Sequence, residues 1–321
     1  MRSVLLRALQ WLMALAVVGF AGWQVASNWN SVRAAQIALT FRPLPLLAAL
    51  ALVWAGFVAL ILAWRITVTA AGRPLAPRDA AHIWIVSSLG KYLPGKVWAL
   101  AGMMVLARDR GISGRAAAAA AVFQQIVSLG VGAILVFLSG RSQLIDRLPG
   151  GPLAFWLLLT VAVIALCLPL SSRVMALAAL AVQTVGKGRL APGETDGEAF
   201  GMALPWPVLV RSALANAVAW FAYGGALLLL AHGLLPDLAH ELSFERALGG
   251  FTAAYIAGVL AFLAPGGIGV REGLIVLLLA PAVGEGGAAV LALATRVLFT
   301  LAEFGAAAPF VFAAKEKSRV R

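Results

Sequence analysis

The sequence predicts an all-α polytopic membrane protein, built as an inverted-topology repeat with six full transmembrane helices and two Gly/Pro-broken re-entrant helix pairs. Hydrophobic residues make up 62% of the chain and charged residues only 12%, which is typical of membrane helices. Several apolar runs approach 20 residues, the length with which an α-helix crosses about 30 Å of hydrocarbon. Short runs rich in glycine, proline and charge interrupt two apolar stretches, so counting apolar runs alone gives about eight helices.

The first half of the chain contains three predicted full spans and one broken segment. An uncleaved helix is expected over about 8–27, because the apolar run is long and lacks a clean cleavage pattern. The second span is predicted over 44–64, and an alanine-rich span, suited to close helix packing, over 116–138. The segment 79–107 is interrupted at Leu93–Gly95, and each of its pieces is too short to cross the bilayer.

The second half repeats this order of elements. A span is predicted over about 153–170, followed by a polar connecting loop at 186–204. Further spans are predicted at 208–231 and 288–312, with a second broken segment, 247–283, between them. Proline and glycine free backbone groups that hydrocarbon cannot satisfy, so both interruptions are expected to face protein or water.

Charge predicts the orientation of the chain. If both broken segments return to the side they entered, fifteen of the 25 basic residues lie on the cytoplasmic side and five on the other, with five near the apolar layer. If the first broken segment crossed fully, these clusters would scatter over both faces. The re-entrant version therefore predicts both termini and the loop 186–204 in the cytoplasm, and we expect the membrane to be a bacterial inner membrane. Nucleic acid is a poor explanation for the net charge of +12, because the basic residues flank apolar spans.

A faint internal similarity supports an inverted repeat within a single integral membrane domain, 1–321, whose halves are 1–140 and 153–314. The stretches 114–130 and 286–302 align without gaps, which places Gln124 opposite Arg296. Pro94 and Pro265 fall within one residue of the same offset. Broken segments at matching positions of two inverted halves indicate a transporter binding site.

The two interruptions carry the chemistry. The first motif is Gly90–Lys96, GKYLPGK, and the second motif is Ala264–Gly273, APGGIGVREG. Together with the last span they place four cations and two carboxylates near the apolar layer, an excess that suits a phosphate. We expect headgroup contacts from Lys91, Tyr92, Pro94, Gly95, Lys96, Gln124, Pro265, Gly266, Gly267, Gly269, Arg271, Glu272, Arg296 and Glu303. We expect no catalytic residues, metal site or cofactor, because no suitable nucleophile, acid-base pair or ligand spacing occurs.

Structural explanations compete with direct lipid contact at most of these positions. Arg271 and Glu272 could form an internal ion pair, while Arg296 and Glu303, two helical turns apart on one face, could each pair with a motif. Lys91 and Lys96 could extend to the cytoplasmic surface. Gln124 suits an interhelical hydrogen bond, and Trp64 is expected to be an interfacial anchor.

The motifs also carry a resemblance to a known family. GKYLPGKVW and PGGIGVREG resemble the two signature runs of the lysylphosphatidylglycerol synthase transmembrane, or flippase-like, family. Arg296, in ATRVLFTLAEF, falls where that family usually has an arginine, whereas Gln124-Gln125 replaces its acidic-arginine pair. The resemblance implies lipid translocation or handling. The chain ends soon after its last span, so no aminoacyl-transfer domain is expected.

These observations predict a lipid flippase or lipid-handling transporter for an anionic, phosphate-containing lipid of the phospholipid or polyprenyl-phosphate type. One alternative is a membrane enzyme, or an accessory subunit, in lipid-linked sugar or lipid modification; another is a non-transporting scaffold. The expected partner is a membrane lipid with an anionic headgroup, and nucleic acid is not expected. A homodimer and an association with a lipid-modifying enzyme both remain open.

Overall fold

The computed structural model describes residues 39–70, 74–92, 98–140, 205–261, 267 and 269–317, with side chains described to residue 310. The predicted spans at 8–27 and 153–170 and the loop at 186–204 lie outside these residues. Every regular element in the described part is a helix. These helices are α1 (Pro43–Ala70), α2 (Pro77–Ser88), the 3₁₀ turn Leu89–Tyr92, α3 (Trp98–Arg108), α4 (Gly114–Ser139), α5 (Trp206–Leu234), α6 (Pro236–Ala239), α7 (Phe244–Leu260) and α8 (Val270–Lys317).

Four of the described helices are long and apolar enough to cross a membrane: α1, α4, α5 and the part of α8 from Val270 to Phe310. They contain the spans predicted at 44–64, 116–138 and 208–231. The last of them also contains the predicted span 288–312 as far as Phe310. The predicted all-α membrane class is therefore confirmed.

The helices extend beyond the predicted apolar runs, as α1 illustrates. This helix continues past the predicted end at Trp64 to Ala70. Arg65 does not stop it, and the Arg65 Nε donates a hydrogen bond to the Leu75 carbonyl at 2.6 Å. Proline marks several helix starts: Pro43, Pro77 and Pro236 are the first residues of α1, α2 and α6, where a missing N–H costs nothing.

The described core forms where α1 packs along α5, with α7 and α8 beside them. Gly56 of α1 makes room for the ring of Tyr223, which would collide with any side chain there. Trp64 is fully buried, and its indole N–H donates to the Ala117 carbonyl at 3.1 Å. The prediction that Trp64 anchors the protein at the membrane interface was therefore wrong, because α4 covers this end of α1.

Helices and interruptions follow one another in a similar order in the two halves of the chain. In the first half, α2, the first break and α3 precede the long helix α4. In the second half, α7 and the second break precede α8, which bends at Gly284, where φ is 72° and ψ is 162°. We call the parts of α8 before and after Gly284 α8a and α8b, and α8b corresponds to α4 in this order. The half-repeats 1–140 and 153–314, their inversion and the re-entrant paths of the breaks stay predictions.

Candidate functional site

The described part of the first motif is a tight turn between α2 and α3. Gly90 lies against the start of α3, so that a Cβ atom added there would stand 2.6 Å from the Ala99 nitrogen. Lys91 and Tyr92 follow Gly90 at the end of the 3₁₀ turn. Pro94, Gly95 and Lys96 of the predicted site lie outside the described residues.

The second motif is held against α7 by close packing between two glycines. Gly267 has a φ of 71°, and an added Cβ atom would lie 2.7 Å from the Cα of Gly258 in α7. Gly269 also has a positive φ, 82°, and leads into α8a. Its N–H donates to Glu272 Oε2 at 2.8 Å, which satisfies one of the free donors at the start of the helix. Pro265 and Gly266 lie outside the described residues.

Glu303 of α8b joins the first motif to the last helix. One carboxylate oxygen forms an ion pair with Lys91 Nζ, and the other accepts a hydrogen bond from the Tyr92 hydroxyl at 2.8 Å. The Glu303 side chain is 8% exposed, whereas the Lys91 side chain is 45% exposed. Lys91 is therefore used in an ion pair with α8b, the contact that was expected for Glu303 as an alternative to lipid binding.

Arg296, seven residues before Glu303, joins the second motif to the same helix. Its Nη1 donates to Glu272 Oε1 at 3.3 Å. The side chains of Arg296 and Glu272 are only 10% and 18% exposed. Glu272 is thus paired with Arg296 and with the Gly269 backbone, and no ion pair with its neighbour Arg271 is formed.

Arg271 is buried against aromatic rings. Its guanidinium carbon lies 4.9, 5.4 and 5.1 Å from the ring centroids of Phe251, Tyr255 and Phe299. Such contacts offset part of the cost of taking a cation out of water. They satisfy no N–H group, however, and Arg271 Nη2 is buried with no hydrogen-bond partner in the described part of the chain.

The formal charges of the site show where its excess lies. Among the described residues at the two breaks and on α8b, three cations face two carboxylates, a net charge of +1. Lys91 is matched by Glu303, and Arg296 by Glu272. The excess positive charge therefore resides on Arg271, whose unpaired N–H can donate to an anion.

Arg271 lies in the walls of two adjoining cavities. The larger has a volume of about 500 Å³, a size typical of small-molecule sites, and a mainly apolar wall to which seven helices contribute. The smaller, about 250 Å³, lies beside the two motifs and is also lined by Arg296. Lys91, Arg271 and Glu303 line both cavities. The arrangement offers an anion a buried donor beside an apolar chamber.

Gln124 lines the larger cavity from α4. Its Nε2 donates to the Leu60 carbonyl of α1 at 2.8 Å, so it forms the interhelical hydrogen bond named as the alternative to lipid contact. Arg296, aligned opposite Gln124 in the sequence, lines the smaller cavity.

Several residues of this site are not among those predicted from the sequence. Phe251, Tyr255 and Phe299, which surround Arg271, occur in apolar helices where nothing distinguishes them from lipid-facing rings. Asn216 of α5 also lines the larger cavity. A lone amide within a predicted transmembrane span was a signal that could have identified it.

Comparison with known proteins shows the family. The model described as the lysylphosphatidylglycerol synthase TM region matches residues 4–304, nearly the whole chain. The chain therefore belongs to this family and is an integral membrane protein, as its motifs and apolar helices predict. The match concerns the transmembrane region, which is not the catalytic aminoacyl-transferase domain. No curated protein matches the chain.

Proposed function

We propose that this member of the lysylphosphatidylglycerol synthase transmembrane family moves a lipid with an anionic, phosphate-containing headgroup across the bilayer. The observation that carries the proposal is Arg271, a buried guanidinium with an unpaired N–H in the wall of two cavities. Leaving a buried donor unsatisfied costs about 1–3 kcal/mol, more for a charged group, and a bound phosphate oxygen would recover that cost.

The cavity supports a lipid headgroup better than a free inorganic anion. Beyond Arg271, the wall is built largely from apolar side chains such as Phe57, Leu100, Met103 and Trp220. These side chains suit the glycerol or first isoprenoid carbons next to a phosphate, while the longer hydrocarbon chains stay in the bilayer. Phospholipids and polyprenyl phosphates share this chemistry, so both classes belong in the test.

The ion pairs of α8b suggest how the site opens. Lys91 and Tyr92 hold the first motif to α8b through Glu303, and Arg296 holds the second motif through Glu272. We propose that the two contacts open in turn, so that the cavity faces one side of the membrane and then the other. In the predicted topology this occurs in a bacterial inner membrane with both termini cytoplasmic.

Reconstitution in liposomes tests the proposal. Labelled phospholipids and labelled polyprenyl phosphates are placed in one leaflet, and their exchange is followed with wild-type protein and with Arg271→Ala. We expect the wild type to exceed protein-free liposomes for at least one lipid class, and Arg271→Ala to slow that exchange by roughly 10- to 100-fold, the value of one charge-assisted hydrogen bond.

Two further variants make the result specific. Arg211→Ala removes an exposed arginine from α5 and should leave exchange unchanged. Arg271→Lys keeps the charge but loses the planar fork, and should fall between Arg271→Ala and wild type. Equal exchange for wild type and Arg271→Ala with every lipid would contradict the proposal. Recovery of a chemically altered lipid would favour the membrane-enzyme alternative instead.

A further inference from the structure

Asn216 is a second buried polar group that the described protein does not satisfy. It lies on α5, is 0% exposed, and forms part of the wall of the larger cavity. Its Nδ2 donates to the Ser212 carbonyl at 2.8 Å. Because a backbone carbonyl can only accept, this bond fixes the amide orientation and leaves Oδ1 as an acceptor, for which the structure provides no donor.

Packing does not account for an asparagine at this position. Asparagine is a poor helix former in a helix interior, and an unpaired buried acceptor adds about 1–3 kcal/mol of cost. A leucine would fill similar space at no such cost in this apolar helix. Ser212, one turn earlier, also carries a buried unpaired oxygen, but Ser212 does not line the cavity.

Asn216 and Arg271 lie along one aromatic wall. Trp220 follows Asn216 by one helical turn, and its ring centroid is 5.2 Å from that of Tyr255. Tyr255 in turn lies 5.4 Å from the Arg271 guanidinium carbon. The wall of the cavity therefore contains Arg271, with an unpaired donor, and Asn216, with an unpaired acceptor.

We propose that Asn216 determines headgroup specificity by accepting a hydrogen bond from a donor on the headgroup alcohol, while Arg271 binds the phosphate. The inference rests on the proposed lipid site and adds the class of headgroup: a phosphodiester whose alcohol carries a hydroxyl or ammonium group. A phosphodiester without such a donor leaves Asn216 Oδ1 unsatisfied and binds more weakly.

Matched probes test this directly by binding to the purified full chain in detergent. Three short-chain phosphodiester lipids share the same acyl chains and differ only in the headgroup, which is 2-hydroxyethyl, 2-methoxyethyl or 2-aminoethyl. We expect the wild type to bind the 2-hydroxyethyl or the 2-aminoethyl ester roughly three- to tenfold more tightly than the 2-methoxyethyl ester, the value of one hydrogen bond. Comparison of the first and third probes shows which donor is preferred.

Two variants assign the preference to Asn216. Asn216→Leu should weaken binding of the preferred ester to the level of the methoxy ester and leave the methoxy ester unchanged. Ser212→Ala should keep the wild-type preference. Equal wild-type affinity for all three esters overturns the inference without any variant, and so does an Asn216→Leu protein that loses affinity for all three equally.

Binding and transport are distinguishable in this design. A preference that depends on Asn216, found in a protein that exchanges no lipid in liposomes, supports the specificity role and contradicts the transport proposal. Exchange that depends on Arg271, without any preference among the three esters, supports the transport proposal and contradicts the specificity role. Absence of binding to every ester overturns the specificity role.

Discussion

The two motifs make opposite contacts with the same helix. In the first motif, the Lys91 ammonium and the Tyr92 hydroxyl both reach the Glu303 carboxylate. In the second motif the acid belongs to the motif itself, and Glu272 accepts from Arg296. The helix α8b thus supplies an anion to one break and a cation to the other.

This difference determines where the site holds its free charge. Lys91, the described cation of the first motif, is used in closing that motif against α8b. The second motif contacts α8b through the Glu272 carboxylate. The neighbouring Arg271 is not used in that contact, and its Nη2 stays unpaired among the described residues. Two breaks at similar positions in the chain therefore divide the work between them: the first provides a contact, and the second provides a contact and an unpaired donor.

The largest expected difference between the motifs is in glycine replacement. Gly267→Ala combines a left-handed φ of 71° with a contact of 2.7 Å to the Gly258 Cα, so we expect a loss of about 2–5 kcal/mol in unfolding free energy. Gly90→Ala meets the Ala99 nitrogen at 2.6 Å without a positive φ, and should cost about 1–3 kcal/mol. Denaturation in mixed micelles measures both values.

Gly269→Ala is the matched control for this prediction. Its φ of 82° imposes the same backbone strain, but an added Cβ atom has nothing within 4 Å. We expect it to cost only about 1–2 kcal/mol. If Gly267→Ala costs no more than Gly269→Ala, the close packing of the second motif on α7 does not contribute to stability.

A smaller difference is expected between the two ion pairs. Glu272→Gln leaves Arg296, 10% exposed, without its carboxylate, and should cost about 2–3 kcal/mol. Glu303→Gln leaves Lys91, whose side chain is 45% exposed, and water compensates part of the loss, so we expect about 1–2 kcal/mol.

Double-mutant cycles separate these pairs from simple packing. Adding Lys91→Met to Glu303→Gln, or Arg296→Met to Glu272→Gln, should recover part of the single-variant cost, because no charge is then left unmatched. Costs that simply add would show that the residues contribute to stability independently of their charges.

Most of the helical framework could be predicted from the sequence because apolar length and helix breakers act locally. The spans at 44–64, 116–138 and 208–231 all lie within helices of the structure. The predicted ends were too early, since neighbouring backbone can satisfy a charged side chain, as the Leu75 carbonyl does for Arg65.

The candidate site was predictable only in part. Charge within apolar runs predicts Lys91, Arg271, Arg296 and Glu303 as site residues, and all four line the two cavities. Which cation meets which carboxylate depends on how the two halves pack, and no local pattern contains that information. Trp64 shows the same limit, because its burial follows from the position of α4.

The smallest effect is expected for substitutions in the aromatic rings that surround the Arg271 guanidinium. Phe299→Leu removes one of the three rings around the guanidinium, worth about 0.5–1.4 kcal/mol, so lipid exchange should slow by roughly two- to tenfold through poorer positioning of Arg271. Tyr255→Phe keeps its ring and should change exchange by less than about twofold.

Measuring Phe299→Leu both in the wild-type protein and in Arg271→Ala decides between two explanations of its effect on exchange. Phe299 also lines both cavities, so its loss could act on the shape of the site instead of on Arg271. If the ring acts through the guanidinium, Phe299→Leu has no further effect on exchange in an Arg271→Ala protein, because the group it positions is gone. If the same slowing persists in that background, the ring acts on cavity shape, and the second motif positions its free cation by other means.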